Sequence, residues 1–233
     1  MEISPDNWVL FTVGPFRVNA TIVFTWVVMA ILVLSALFVR LRLSATGDLT
    51  RSQNFWEAVV ETMRNQIRDV SGQEPGPYLP FVGTLFVFIA SANILAVVPG
   101  YTPPTGSLST TTALAICVLI SVPVYGMARK GVGGYVRSYF EPTPLMAPFN
   151  VIGELSRTLA LAIRLYGNVM SGTVIAGILI SIAPFFFPVA MQMLGLLTGV
   201  IQAYIFAILA MVYIASATRA HEGDNDRREN PND

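Results

Sequence analysis

The charged residues of this sequence leave three long gaps. Asp, Glu, Lys and Arg are absent from residues 18–39, 75–128 and 165–218. A helix needs about 20 apolar residues to cross the hydrocarbon core of a bilayer, so the first gap can hold one span and each of the others can hold two. Only 12% of the residues are charged, whereas a soluble domain has about 25%. The chain is therefore predicted to lie in a membrane, and a soluble globular enzyme is excluded.

Turn-forming residues divide the two longer gaps. Pro, Gly, Thr and Ser are concentrated at 99–109, and a proline stands at each end of 184–188. Such clusters are typical of breaks between helices. They predict five spans, at about 18–39, 78–98, 110–128, 149–182 and 189–217. We expect a single membrane domain of the all-α class, with five transmembrane helices of which the last two form a long tilted hairpin.

The basic residues predict how the spans are oriented. Eleven Lys and Arg residues fall in alternate connections, whereas 99–109 and 183–188 contain none. Positively charged connections stay in the cytoplasm, so we expect the N-terminus outside and the C-terminus inside. We expect no cleavable signal at the start, because Glu2 and Asp6 replace the basic residues of a signal peptide.

Two segments outside the spans have distinct compositions. Residues 53–70 have one apolar and one charged face, which predicts an amphipathic helix on the cytoplasmic side. Such a helix either lies on the membrane or docks a partner, or it serves as an interfacial linker. Residues 219–233 are mostly polar and charged, which predicts a disordered tail.

The composition also excludes several kinds of site. The net charge is zero, so the basic surface of a nucleic-acid-binding protein is missing. With a single cysteine, Cys117, and a single histidine, His221, the chain has no disulfide framework and no His/Cys metal cluster. We expect no nucleic-acid partner, no metal site and no cofactor.

The fourth predicted span carries an unusual polar face. Helical spacing aligns Glu154, Arg157, Leu161, Arg164, Asn168 and Ser171. Glu154 and Arg157 lie near the cytoplasmic end, where they can reach the interface or pair with each other. Arg164 lies deeper, and placing an arginine at the membrane centre costs about 2.5–3.5 kcal/mol. Its counter-charge then comes from another molecule, or it lies in a water-filled cavity. The alternative is an arginine that reaches the interface or binds backbone carbonyls.

The fifth span carries a complementary stripe. It consists of Gln192, Gly195, Gly199, Gln202 and Phe206. Small residues let a neighbouring helix approach closely, and glutamine offers a neutral amide. The stripe therefore fits both a packing motif and part of an ion pathway. In the same way, Asn93 of the second span fits an aqueous entry from outside or an ordinary interhelical hydrogen bond.

These residues resemble a known family. The segment RLYGN, which begins at Arg164, is preceded by ELSRTLALAI and followed by VMSG, and Gln202 lies 38 residues after the arginine. From about Asn93 to Ile214 the chain is similar to subunit a of F-type ATP synthases, the membrane stator that faces the rotating c-subunit ring. The resemblance implies two ion half-channels and a subunit that is not catalytic alone. It also implies a bacterial inner membrane as the location and the c ring, the subunit b stalk, the remaining synthase subunits and the lipid bilayer as partners.

The resemblance assigns roles to individual residues. Arg164 would be the essential arginine beside the carboxylate of the c ring, and Asn168 and Gln202 would be the polar residues next to it. The expected ion pathway further includes Ser171, Asn93, Gln192 and Glu154.

One departure from the family bears on the transported ion. Many members have Glu or His at the positions of Thr173 and Gly195. A relay of protons through those positions is therefore not expected here. Water can carry protons instead, or the ion is sodium, since LSRTLALAIRLYGN is similar to a sodium-associated branch of the family.

Two other functions compete with the stator function. A secondary transporter is expected to show an internal repeat with paired broken helices, but five spans and no visible repeat disfavour it. A non-transporting membrane scaffold needs no arginine at the centre of the membrane.

Overall fold

The computed structural model describes residues 9–13, 16–41, 51–98, 100–140, 143, 145–182 and 187–219. Six α-helices occur in these ranges: α1 (Ala20–Leu41), α2 (Arg51–Ser71), α3 (Leu79–Ile94), α4 (Leu108–Phe140), α5 (Met146–Ile182) and α6 (Phe187–Arg219). All except α2 are long and apolar enough to cross a membrane. The prediction of a helical membrane protein with five spanning helices is therefore confirmed. The tail predicted at 219–233 lies outside the described residues from 220 onward.

A short β-hairpin precedes α1 and was not predicted. Strand β1 (Val9–Val13) pairs antiparallel with β2 (Phe16–Asn19), and α1 begins directly after β2. The VLFTV sequence of β1 consists of residue types that favour strands.

Helix α4 contains a sharp turn. Gly131 has φ 73° and ψ 161°, a conformation that glycine adopts without strain, so α4 consists of two helical parts. The second part, 132–140, folds back and places the Tyr135 ring against Gly126, where a Cβ atom would lie 2.5 Å from the ring. The helical segment therefore extends well beyond the 110–128 expected from hydropathy.

Helix α6 forms the centre of the bundle. It packs against α3, α4 and α5. Six of its side chains are completely buried, namely those of Ala203, Phe206, Ala207, Ala210, Met211 and Ile214. Small alanines allow neighbouring helices to approach closely, and close van der Waals packing drives helix association in lipid.

The two N-terminal helices differ in how they attach to this bundle. Helix α1 buries only Ala20, Thr21 and Val28 among its residues. Helix α2 corresponds to the predicted amphipathic segment, and its apolar side chains Met63 and Ile67 are buried. It packs on α3 and α6 of the same chain.

Candidate functional site

Arg164 lies on α5 at the edge of the buried face. Its neighbours Leu161 and Leu165 belong to the core, whereas Arg164 itself is exposed. Within the described ranges an ion pair joins Glu61 and Arg64, at 3.5 Å. Arg164 forms neither an ion pair nor a hydrogen bond with any described residue. Its charge is therefore available to a molecule outside this part of the chain.

Small residues share one face of α5 with Arg164. Ala160, Gly167 and Ser171 are four, three and seven residues away along the helix, so they lie on the same side. A Cβ atom added to Gly167 would meet no atom within 4 Å. Small side chains leave room for the backbone of a partner helix to come close to the guanidinium.

The predicted polar stripe of α5 follows the border between the buried and exposed faces. Leu161 is 1% exposed, whereas Arg157 and Ser171 are exposed and Asn168 is partly buried. The Ser171 hydroxyl donates a hydrogen bond to the Asn168 carbonyl, 3.2 Å away, within its own helix. Asn168 therefore lies one turn from Arg164, at the margin of the core.

Gln202 is the polar side chain at the centre of α6. It is 7% exposed, and its Nε2 atom has no hydrogen-bond partner in the described structure. An unsatisfied buried donor costs about 1–3 kcal/mol, and buried polar atoms are normally satisfied by protein or water. This amide is thus available for a water molecule or a group of a partner.

Asn93 joins three elements of the fold. Its Nδ2 donates hydrogen bonds to the carbonyls of Ile89 at 2.9 Å and Gly199 at 3.3 Å. Its Oδ1 accepts one from Thr105 at 3.2 Å. Thr105 belongs to the buried 3₁₀ turn Pro104–Gly106 in the connection between α3 and α4. The interhelical hydrogen bond predicted for Asn93 is therefore present.

The two glycines of the α6 stripe have different surroundings. A Cβ atom at Gly199 would lie 2.8 Å from the Cβ of Asn93, whereas one at Gly195 would meet no atom within 4 Å. Gly199, but not Gly195, is thus required for close packing with α3. Gln192, one turn before Gly195, donates hydrogen bonds to the carbonyls of Ala96 and Val97, each 3.3 Å away.

Glu154 lies near the beginning of α5, where it is partly buried. Its Oε2 accepts a hydrogen bond from the Tyr139 hydroxyl of the folded-back part of α4. Glu154 and Arg157 form no ion pair in the described structure, although their spacing allows one. Instead the Arg157 guanidinium lies over the Tyr213 ring, 5.8 Å from its centre.

The predicted site residues therefore fall into separate groups. Arg164, Asn168 and Ser171 share one edge of α5, while Asn93 and Gln202 lie in the interior. Tyr139 was missed by the sequence analysis. Its contact depends on the turn at Gly131, and the glycines there predict a turn but not its direction.

Comparison with known proteins identifies sequences related to this one. The family described as ATP synthase A chain matches residues 22–215. "ATP synthase subunit a 2" of Acaryochloris marina is 58% identical over 222 residues, which cover 95% of each chain. "ATP synthase subunit a" of Albidiferax ferrireducens is 53% identical, covering 95% of this chain and 96% of its own. "ATP synthase subunit a 1" of Chlorobaculum parvum is 54% identical, covering 95% and 98%.

Proposed function

Because this chain belongs to the ATP synthase subunit a family, we propose that Arg164 is the cation that meets the ion-binding carboxylate of a partner c-subunit ring. As a member of that family it is a component of the synthase complex rather than its catalytic subunit. The proposal concerns how its residues couple ion movement across the membrane to rotation and ATP synthesis.

The exposed and unpaired state of Arg164 among the described residues carries this proposal. An intramembrane charge without a partner in its own chain is a functional site by default. A carboxylate that approaches to about 4 Å gains about 4 kcal/mol at an effective dielectric constant near 20. That gain favours the ionised carboxylate strongly enough to release its proton or sodium ion. Arginine keeps its charge in proteins, so it also blocks a cation from passing directly between the two half-channels.

The polar residues of the interior support an outer half-channel. Thr105, Asn93 and Gly199 are linked by hydrogen bonds, and Gln202 follows Gly199 by three residues on the same face of α6. These groups are neutral amides and hydroxyls. The Thr173 hydroxyl is not linked to these groups, because it donates to the Val169 carbonyl of its own helix, at 2.7 Å.

The connection between α3 and α4 supports the same route. Its Tyr101 hydroxyl and Thr102 Oγ1 are buried, as is Oδ1 of Asn19 at the end of β2, and none of the three has a hydrogen-bond partner in the described structure. A phenol is neutral at physiological pH, and burial raises the pKa of Tyr101 further above that range. Buried polar atoms of this kind are suited to bind water. We place the entrance from outside here, with protons carried by water or with sodium as the ion.

The remaining residues complete the proposed pathway. Asn168 and Ser171 lie beside Arg164, Gln192 lies toward the outer end of α6, and Glu154 lies on the opposite, basic side. We place that basic side in the cytoplasm of a bacterium, since cytoplasmic connections are rich in Lys and Arg. The c ring and the subunit b stalk are the proposed partners within the inner membrane.

The substitution Arg164→Ala tests this function in vesicles that contain the assembled complex. We expect ATP synthesis driven by a proton or a sodium gradient to be abolished, while a passive ion leak is permitted. Arg64→Ala is the matched control, because Arg64 is also exposed but lies on α2 and pairs with Glu61. Near-normal synthesis by Arg164→Ala contradicts the proposal and favours a scaffold without a transport role.

A further inference from the structure

A cavity of about 270 Å³ opens between α4, α5 and α6 at the basic side of the bundle. Its lining combines charged and hydroxyl-bearing side chains, including those of Lys130, Tyr139, Glu154, Arg157, Tyr213 and Ser216. Glu154 is the sole acidic residue in the sequence of the three helices. The cavity therefore brings one carboxylate to the surface of a bundle that otherwise lacks acidic groups.

The turn at Gly131 builds one wall of this cavity. It returns the segment 132–140 along α4, with the ring of Tyr135 packed on Gly126. The hydroxyls of Tyr135 and Tyr139 are 2.8 Å apart and hydrogen-bonded. Nδ2 of Asn150 donates to the Tyr139 carbonyl at 3.1 Å, which ties the segment to the first turns of α5. Tyr139 is thus held through its hydroxyl by Tyr135 and through its carbonyl by Asn150, in addition to its contact with Glu154.

The hydrogen bond from Tyr139 engages one oxygen of the carboxylate. The Tyr139 hydroxyl donates to Oε2, whereas Oε1 accepts no hydrogen bond from a described residue. Arg157 lies over the Tyr213 ring and does not neutralise the carboxylate by pairing with it. A carboxylate that is fixed through one oxygen and has the other unengaged is arranged to accept a cation or a proton.

We infer that Tyr139 is a positioning residue that holds Glu154 toward this cavity, and that the translocated ion passes between Glu154 and cytoplasmic water through it. The inference rests on the proposed function, because it describes where the inner half-channel opens. Tyr139 acts only through Glu154 and does not itself contact the ion. A tether that merely joins α4 to α5 would affect the amount of assembled complex but not the concentration dependence of transport from one side.

The assembled complex in vesicles allows the two sides to be tested separately. ATP-driven transport takes up the cation from the cytoplasmic side, whereas ATP synthesis takes it up from outside. For Tyr139→Phe we expect the half-saturating cation concentration of ATP-driven transport to shift about ten- to a hundredfold, the range expected for losing a hydrogen bond to a charged group. The half-saturating concentration for ATP synthesis should stay unchanged. Both protons and sodium ions are used as the probe.

Tyr125→Phe is the matched control, because it removes a hydroxyl from the same helix that donates to the Pro77 carbonyl at 3.3 Å, away from Glu154. It should leave both concentrations unchanged. Equal shifts from both sides, or no shift in Tyr139→Phe, overturn the inference.

A double-mutant cycle with Glu154→Gln adds an independent test. Because Tyr139 acts through Glu154, the double variant should be no worse than Glu154→Gln alone, whereas additive effects contradict the inference. If Tyr139→Phe does not assemble, the test uses Glu154→Gln by itself. An unchanged half-saturating cation concentration of ATP-driven transport in Glu154→Gln then overturns the inference. Failure of the proposed function is recognised by a different result, namely near-normal ion-driven ATP synthesis in Arg164→Ala.

Discussion

The side-chain amide of Asn93 on α3 donates a hydrogen bond to the backbone carbonyl of Gly199 on α6, 3.3 Å away. The carbonyl of a helical residue normally accepts only from its own helix. Because Gly199 has no side chain, Asn93 can come close enough to donate to the same carbonyl. This contact fixes the spacing of the two helices beside Gln202.

The first prediction concerns that spacing. Gly199→Ala places a Cβ atom 2.8 Å from Asn93, so α3 and α6 must separate, at a cost of about 1–3 kcal/mol. We expect less assembled complex and a lower temperature of dissociation in detergent. Gly195→Ala is the control, because its added methyl group meets no atom within 4 Å. Equal stability of the two variants would show that the contact contributes nothing.

The second prediction concerns Gln202. Its buried amide can orient water or a carboxylate but carries no charge for the exchange reaction. Gln202→Leu should therefore reduce coupled ATP synthesis in vesicles, although less than Arg164→Ala does. Thr198→Val serves as the control, since the Thr198 hydroxyl bonds to carbonyls of its own helix. Complete loss of synthesis in Gln202→Leu would assign this residue a larger role.

The third prediction distinguishes arginine from any positive charge. Arginine can bind a carboxylate through two parallel hydrogen bonds and stays protonated, whereas lysine in a low dielectric can lose its proton. Arg164→Lys should therefore be severely impaired in ATP synthesis and should leak ions without coupling. Rates of synthesis and of passive flux in the same vesicles check this. Full activity would mean that a point charge is sufficient.

The fourth prediction concerns topology. Single cysteines at Ser109 and Glu74, which are exposed at opposite ends of the bundle, should react with a membrane-impermeant maleimide from opposite sides. Cys117 is itself exposed, so the background variant is Cys117→Ser. Ser107 is unsuitable as a labelling position because its side chain is completely buried. Reaction of both cysteines from one side would rule out the five-span arrangement.

Charge gaps predict the membrane helices because a membrane excludes ionised groups from long stretches of sequence. They predict the ends less well. Residues 132–140 contain Arg137 and lie beyond the apolar stretch, but they remain helical after the turn at Gly131. The β-hairpin before α1 was missed because its strands are only five and four residues long, too short for a clear period.

Helical spacing predicts which side chains share a face, as it does for Arg164 and Ser171. It does not predict whether that face is buried, because the answer depends on the neighbouring helices. Leu161 shares the predicted stripe but belongs to the core. The contact between Tyr139 and Glu154 depends on a change of chain direction that no local periodicity encodes.

The central position of α6 has a consequence for biosynthesis. This helix leaves the ribosome after α1–α5, yet Phe206, Met211 and Ile214 form the middle of the packed core. Apart from direct contacts such as that between α4 and α5, the earlier helices therefore enter the membrane before the surface that joins them exists. Their final packing has to wait until translation reaches α6, so the bundle closes late rather than helix by helix during synthesis. Translation arrested before α6 would leave inserted but loosely associated helices, which are natural targets for membrane quality-control proteases.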